Sequence, residues 1–170
     1  MPAYFPLFVN LSGKTVSVFG AGQIAARRVS ALLRYGACVT VTAPEIGTKI
    51  RELSLELSAK TPGQLLLKKH AYRPGEIEQE HADYVLAATD DHQVNAAIAA
   101  ECKNKGIPVN NASDSSQCDF YFPALVEREQ LVIGVTSTDG NHKKTARFCE
   151  KLRRLDDLAP QEEGTSHLHQ

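Results

Sequence analysis

A glycine turn set between a strand-like run and a helix-like run restricts the folds open to this chain more than any other feature. Thr15 to Phe19 (TVSVF) is β-branched and aromatic, and Gln23 to Tyr35 (QIAARRVSALLRY) spaces its apolar residues at helical intervals up to Gly36, a C-cap candidate. Between them stands Gly20-Ala21-Gly22-Gln23-Ile24-Ala25, the pattern G-x-G-x-x-A. Its first glycine suits a tight turn, its second lets backbone N–H groups meet a diphosphate, and its small last residue lets helix and strand pack closely. The glycines alone are weak evidence. Their place after a strand and at a helix start is what points to a dinucleotide.

The same alternation continues for two thirds of the chain. Cys38 to Thr42 (CVTVT) reads as a second strand, Ile46 to Ala59 as a helix, and LLLKKHAY as a third strand before a turn at Arg73-Pro74-Gly75. Tyr84 to Ala88 is a fourth strand, Gln93 to Lys105 a helix ending at Gly106, and IPVNNA a fifth strand. Strands alternating with helices predict an α/β fold, a Rossmann-like doubly wound parallel sheet covered on both faces. After Ala112 the pattern changes. FYFPALVEREQLVIGVTST reads as a hairpin around Glu127-Arg128-Glu129-Gln130 with Pro123 at an edge, and a last helix runs from His142 to Leu155. The expected division is therefore 1–112 as an NAD-binding domain, 113–157 as a hairpin-plus-helix region, and 158–170 as a disordered polar tail.

Composition narrows the partners. A formal net charge of -1 over 170 residues supplies no overall field for nucleic acid or an anionic membrane, so electrostatic recognition must be local. No apolar run approaches the roughly 20 residues needed to span a bilayer, and MPAYFPLFVNLSGK does not read as a secretory leader. A cytoplasmic location is expected. Cys38, Cys102, Cys118 and Cys149 form no C-x-x-C pair and read as reduced structural thiols; no preformed metal cluster is expected.

Gly20, Gly22, Gln23 and Ile24 are the candidates for the diphosphate. The ribose reader should stand at the end of the second strand, where Pro44 and Glu45 lie, and with no arginine beside them NAD is favoured over NADP. Thr89 closes the fourth strand and reads either as a cofactor contact or as a helix N-cap. At the start of the last helix, His142, Lys143 and Arg147 offer donors where a helix N-terminus already favours an anion. Lys143, Arg147, Lys151 and Arg154 fall on one helical face, which a solvated surface would also explain.

Several stretches together resemble the precorrin-2 dehydrogenase and sirohydrochlorin ferrochelatase family, the NAD-dependent module of siroheme synthases. They are YFPLFVNLSGKTVSVFGAGQIAARRV, VTVTAPE, AATDD, VNNASDSSQCDFYFPA and the final strand, turn and basic helix, covering roughly Tyr4 to Arg154. The resemblance implies a Rossmann domain with a small dimerisation region that interlocks in a homodimer. It implies oxidation of precorrin-2 to sirohydrochlorin with NAD⁺, and iron insertion in some members. The family's acid, associated with both reactions, falls by position at Ser113, whereas here the carboxylate is next door at Asp114. Asp114 is the candidate for the proton step and Ser113 for substrate contact, while an Asx-turn or helix cap would explain the same aspartate; Asp119 is a weaker candidate. The carboxylates of the implied tetrapyrrole make His142, Lys143 and Arg147 candidate substrate contacts as well. His142 and Lys143 stand where the family often has Ser-Pro, and His142 reads as a proton shuttle, an adventitious iron ligand or a merely exposed side chain. The alternative reading is an NAD(H)-sensing module without catalysis, favoured by the shifted acid and by a tail shorter than the helical segment of relatives.

Overall fold

The computed structural model describes residues 5–56, 62–128 and 130–155. They form two compact units, one of Leu7–Phe122 and one of the hairpin and last helix from Pro123 together with Phe5 and Pro6. The expected disordered tail, 158–170, and the end of the second helix at Ala59 lie outside the described residues.

In the larger unit, strands β1 (Thr15–Phe19), β2 (Cys38–Thr42), β3 (Gln64–Lys68), β4 (Tyr84–Ala87) and β5 (Val109–Asn111) form one sheet in the order β3-β2-β1-β4-β5. Every pairing is parallel. Helices α1 (Gln23–Arg34), α2 (Thr48–Glu56), α3 (Glu76–Glu80) and α4 (His92–Lys105) connect them. Strand alternation divides the apolar residues between two cores. Val16, Val18, Val39, Val41 and Leu86 pack with Val29, Leu32 and Leu33 of α1 and Ile50 of α2. Phe19, Val85, Ala87 and Val109 face the other way, onto Ile77 of α3 and Ile98, Ala99 and Cys102 of α4. The sheet is thus doubly wound, as the alternating pattern requires.

Helix α3 is absent from the sequence reading because five residues carry too little periodicity. Ile77 is its buried anchor. Its last residue, Glu80, takes a hydrogen bond from Ser17 of β1 and an ion pair at 3.0 Å from Lys68 of β3, so this short turn spans three strands' worth of sheet. Strand β3 stops at Lys68 rather than Tyr72. The chain beyond it turns so that the Tyr72 ring meets Phe19 edge-on at 5.2 Å and its hydroxyl donates to Glu101 at 2.5 Å.

Helix α4 begins on Asp91, whose Oδ1 accepts from the N–H groups of Gln93 (2.7 Å) and Val94 (3.2 Å). The N-cap role considered for Thr89 therefore belongs to Asp91, two residues later. Asp91→Ala should cost about 1 kcal/mol of unfolding free energy in urea titration; an unchanged midpoint would show the cap to be idle.

Residues 113–122, expected to open the second region, stay with the sheet. Asp119 Oδ2 accepts from Val109 N–H at 2.9 Å, Asp119 N–H donates to Val109 C=O at 2.9 Å, and Asn110 Nδ2 donates to Phe120 C=O at 2.7 Å. Arg28 of α1 closes the arrangement, donating to Asn110 Oδ1 at 2.6 Å and lying 5.2 Å over the Phe122 ring. The division consequently falls after Phe122.

In the smaller unit, β6 (Ala124–Arg128) and β7 (Leu131–Val135) pair antiparallel, with Ala124 opposite Val135 and Arg128 opposite Leu131. Helix α5 (His142–Arg153) buries Cys149, Val126 of β6 is buried, and Arg153 donates to Leu125 C=O at 3.1 Å. Among the described residues no helix is long and apolar enough to cross a membrane.

Candidate dinucleotide-binding edge and basic helix

The glycine turn joins the carboxyl end of β1 to α1. Gly20 has φ +107, and a Cβ there would lie 2.2 Å from Ala88 C=O. It needs glycine twice over, for its backbone angle and for the approach of the β4 exit. Its own N–H donates to Thr42 C=O at 2.9 Å, fixing it to β2 as well. A third clamp is Gly47, where a Cβ would stand 2.3 Å from Ala21 C=O. Gly47 was hidden in the sequence, since the pattern from Ile46 reads as helix. The helix in fact starts at Thr48, leaving Gly47 free to meet the turn.

Gly22 differs from both. It is the N-cap of α1, with no side-chain cap, and a Cβ on it would meet no atom within 4 Å. The first intrahelical bond is Ala26 N–H to Gly22 C=O, at 2.9 Å. The N–H groups of Gln23, Ile24 and Ala25 therefore face out of the helix start, where the macrodipole favours an anion. Gln23 is exposed, and Ile24 is 46% exposed, an apolar side chain left in the open at a helix entrance. Pro44 and Glu45 follow β2, both exposed. Open space at Gly22 in front of the outward amides, bounded by a closely packed turn, fits a dinucleotide diphosphate.

Thr89, Ser113 and Asp114 follow β4 and β5 at the same carboxyl edge, where ligands of open α/β sheets bind. The Thr89 hydroxyl lies 2.7 Å from Asn95 Oδ1. The Ser113 N–H and hydroxyl both donate to Asn111 Oδ1, at 2.9 and 2.8 Å. Asp114 caps a single 3₁₀ turn, Ser115–Gln117. It accepts from Ser116 Oγ at 2.7 Å, Ser116 N–H at 2.9 Å and Gln117 Nε2 at 3.0 Å. The Ser116 hydroxyl first, then its N–H, with a smaller contribution from Gln117, hold this carboxyl below the ordinary range. The turn cap and the candidate acid are thus one residue. Asp119, by contrast, is committed to β5 through Val109.

His142, Lys143 and Arg147 stand on α5, in the smaller unit. Asn141 caps this helix by accepting from Lys144 N–H at 2.9 Å. A surface depression of about 480 Å³ is lined by Asn141, Lys143, Lys144, Arg147, Phe148 and Lys151. The predicted stripe holds for Lys143, Arg147 and Lys151, and Phe148, 52% exposed, adds an apolar surface among the cations. Arg154 turns instead to Glu150, and exposed His142 is not among the lining residues. Phe148 and Lys144 are the members that spacing by fours did not pick out.

A parallel doubly wound sheet whose glycine turn opens onto a helix start defines a dinucleotide-binding protein. Residues 7–124 match the model of a family described as "Putative NAD(P)-binding". Over 155 residues the chain is 37% identical to the "Probable multifunctional siroheme biosynthesis protein HemA" of Ruminiclostridium josui, covering 89% of this chain and 28% of that protein. Over 163 residues it is 35% identical to the siroheme synthase of Psychrobacter sp. (strain PRwf-1), 94% of this chain and 31% of that one. Among solved structures, SirC, a precorrin-2 dehydrogenase, superposes with a TM-score of 0.71 at 30% identity, over 88% of this chain and 69% of SirC. The chain belongs to the NAD(P)-binding family of that model and is of one family with SirC. It spans about three tenths of the length of the two siroheme proteins.

Proposed function

We propose that this chain is an NAD-dependent precorrin-2 dehydrogenase, converting precorrin-2 to sirohydrochlorin for siroheme synthesis. The observation that carries the reading is the clamped turn at Gly20 with open space at Gly22, on a chain that superposes on SirC. The oxidation removes a hydride and a proton from a reduced tetrapyrrole, and bound NAD⁺ supplies the hydride acceptor.

The chain's residues do the rest. The outward N–H groups of Gln23 and Ile24 hold the diphosphate, with Gly20 and Gly22 leaving it room. Glu45 accepts hydrogen bonds from the adenosine ribose and repels a 2′-phosphate, which selects NAD; Pro44 bounds that side, and Thr89 contributes at the β4 exit. Asp114 takes the proton, with Ser113 beside it. As it stands the carboxylate is a weak base, because three donors stabilise its charge. A substrate that displaces Ser116 and Gln117 restores its basicity. Lys143 and Arg147, with exposed His142, bind the carboxylates of the macrocycle.

The protein acts as a homodimer in the cytoplasm. Leu131, Val132 and Phe148 leave apolar surface exposed on the smaller unit, and four free cysteines suit a reducing compartment.

Mixing the protein anaerobically with NAD⁺ and precorrin-2 should produce NADH absorbance and the sirohydrochlorin spectrum together. NADH binding without turnover would replace the enzyme by a sensor. Arg147→Ala should raise KM for precorrin-2 about tenfold, the loss of one charge-assisted hydrogen bond, with kcat changed less than about twofold. An unaltered KM would return the basic helix to the status of a solvated face.

A further inference from the structure

We propose that Asn95 is a positioning residue that ties the exits of β4 and β5 together, holding Thr89 and the Ser113-Asp114 pair in fixed relation at the carboxyl edge. The role rests on the dehydrogenase reading of that edge.

Asn95 is 0% exposed and shares a helical face with Ile98, Ala99 and Cys102, all buried. At that spacing an aliphatic side chain would be ordinary, and a buried amide survives only if its polar atoms are satisfied. Those of Asn95 are, completely. An amide has two donor hydrogens and an acceptor oxygen with two lone pairs. Oδ1 accepts from Thr89 N–H at 3.0 Å and lies 2.7 Å from the Thr89 hydroxyl. Nδ2 donates to Thr89 C=O at 3.0 Å and to Ser113 Oγ at 3.1 Å. Because Thr89 offers both its N–H and its C=O, only one orientation of the amide serves.

None of these bonds goes to the rest of α4; all join two residues from different strand exits. The backbone connection between β4 and β5 ends with Ala112 N–H donating to Ala87 C=O at 2.8 Å. Beyond it, Asn95 carries the connection onward to Ser113, which passes its own proton to Asn111 Oδ1 at 2.8 Å. Asp114 is the next residue in the chain. A displacement of the Ser113 segment therefore moves the acid, while the glycine turn that holds the cofactor stays clamped by Ala88 and Gly47.

That separation makes the role testable in the full chain. Asn95→Leu and Ser113→Ala are compared with the wild type for kcat, for KM of NAD⁺ and precorrin-2, for NADH affinity by fluorescence, and for thermal unfolding by circular dichroism. Asn95→Leu should lower kcat on the order of a hundredfold, the scale expected of a misplacement of about 1 Å, while NADH affinity, to which Thr89 is one contact among several, falls by less than about tenfold. Ser113→Ala, which removes the Asn95 link to the β5 exit together with the hydroxyl's bond to Asn111, should share part of that loss. The double variant should be no worse than Asn95→Leu alone, since both cut one connection. Wild-type kcat in folded Asn95→Leu would overturn the proposal, as would equal losses of kcat and NADH affinity. If Asn95→Leu fails to fold, Ser113→Ala decides: a reduced kcat with KM for precorrin-2 unchanged upholds the role, and an unchanged kcat or a loss confined to KM overturns it. A wild-type chain without turnover would instead overturn the dehydrogenase reading, and this role with it.

Discussion

Gly20→Ala is expected to abolish NADH binding and to lower the unfolding free energy by about 3 kcal/mol, combining a disallowed backbone angle with overpacking. With φ at +107 a side chain is strained before any contact is counted. The new methyl group would then stand 2.2 Å from Ala88 C=O, a backbone atom rather than a yielding side chain. Ala88 cannot retreat easily, because its N–H donates to Phe19 C=O at 2.8 Å in the continuation of the sheet. Relief must come from the turn, which carries the outward amides at the start of α1 with it. Gly22→Ala provides the contrast. Its φ of -76 suits any residue and no protein atom lies within 4 Å of the added carbon. Stability should change by less than about 1 kcal/mol, yet NADH affinity should fall, because the methyl group enters the space left for the ligand. Urea denaturation and NADH titration of the two variants measure both quantities. A stable Gly20→Ala protein that binds NADH normally would contradict the clamped turn.

Asp114→Asn is expected to reduce kcat at least about a hundredfold, the lower range for loss of a general base. The substitution keeps an oxygen that can accept from Ser116 N–H, so the 3₁₀ turn should persist and the melting temperature should move little. The pH dependence follows from the same bonds. Hydrogen bonds from Ser116 and Gln117 stabilise the ionised form and lower the folded-state pKa of Asp114. Its contribution to stability is present above the ordinary Asp value of about 3.9 and is lost as pH falls through the lower folded value. In the free enzyme, kcat/KM should therefore show no acid limb from Asp114 between pH values of about 5 and 8. A variant retaining more than about a third of wild-type kcat would move the proton step to another group.

Much of the fold could be read from the chain because strand and helix periods alternate cleanly, and one glycine turn marks where the alternation begins. What stayed hidden depends on contacts between distant residues. Gly47 looks like part of a helix until Ala21 is seen against it. Asn95 reads as one more polar residue on a helix, and nothing local shows that it is buried with its amide saturated. Thr89 and Asp91 are both good capping residues, and only the backbone geometry at Asp91 decides between them. The boundary after Phe122 rather than Ala112 is set by Asp119 and Asn110, which bind the chain back onto β5. On α5, spacing alone located Lys143, Arg147 and Lys151, but not that Arg154 turns to Glu150 or that Phe148 joins the cations. Asp114 was legible as a carboxylate one place from the position that the family resemblance implies; its capping bonds from Ser116 and Gln117 lower its pKa.

The most direct test of the account is an amide-resolved NMR titration of the isotopically labelled protein with NADH. The N–H resonances of Gly22, Gln23 and Ile24 should show the largest shifts, saturating with the ligand, as the diphosphate takes up the amides at the start of α1. Saturable binding that leaves those three resonances in place and perturbs another surface would contradict it.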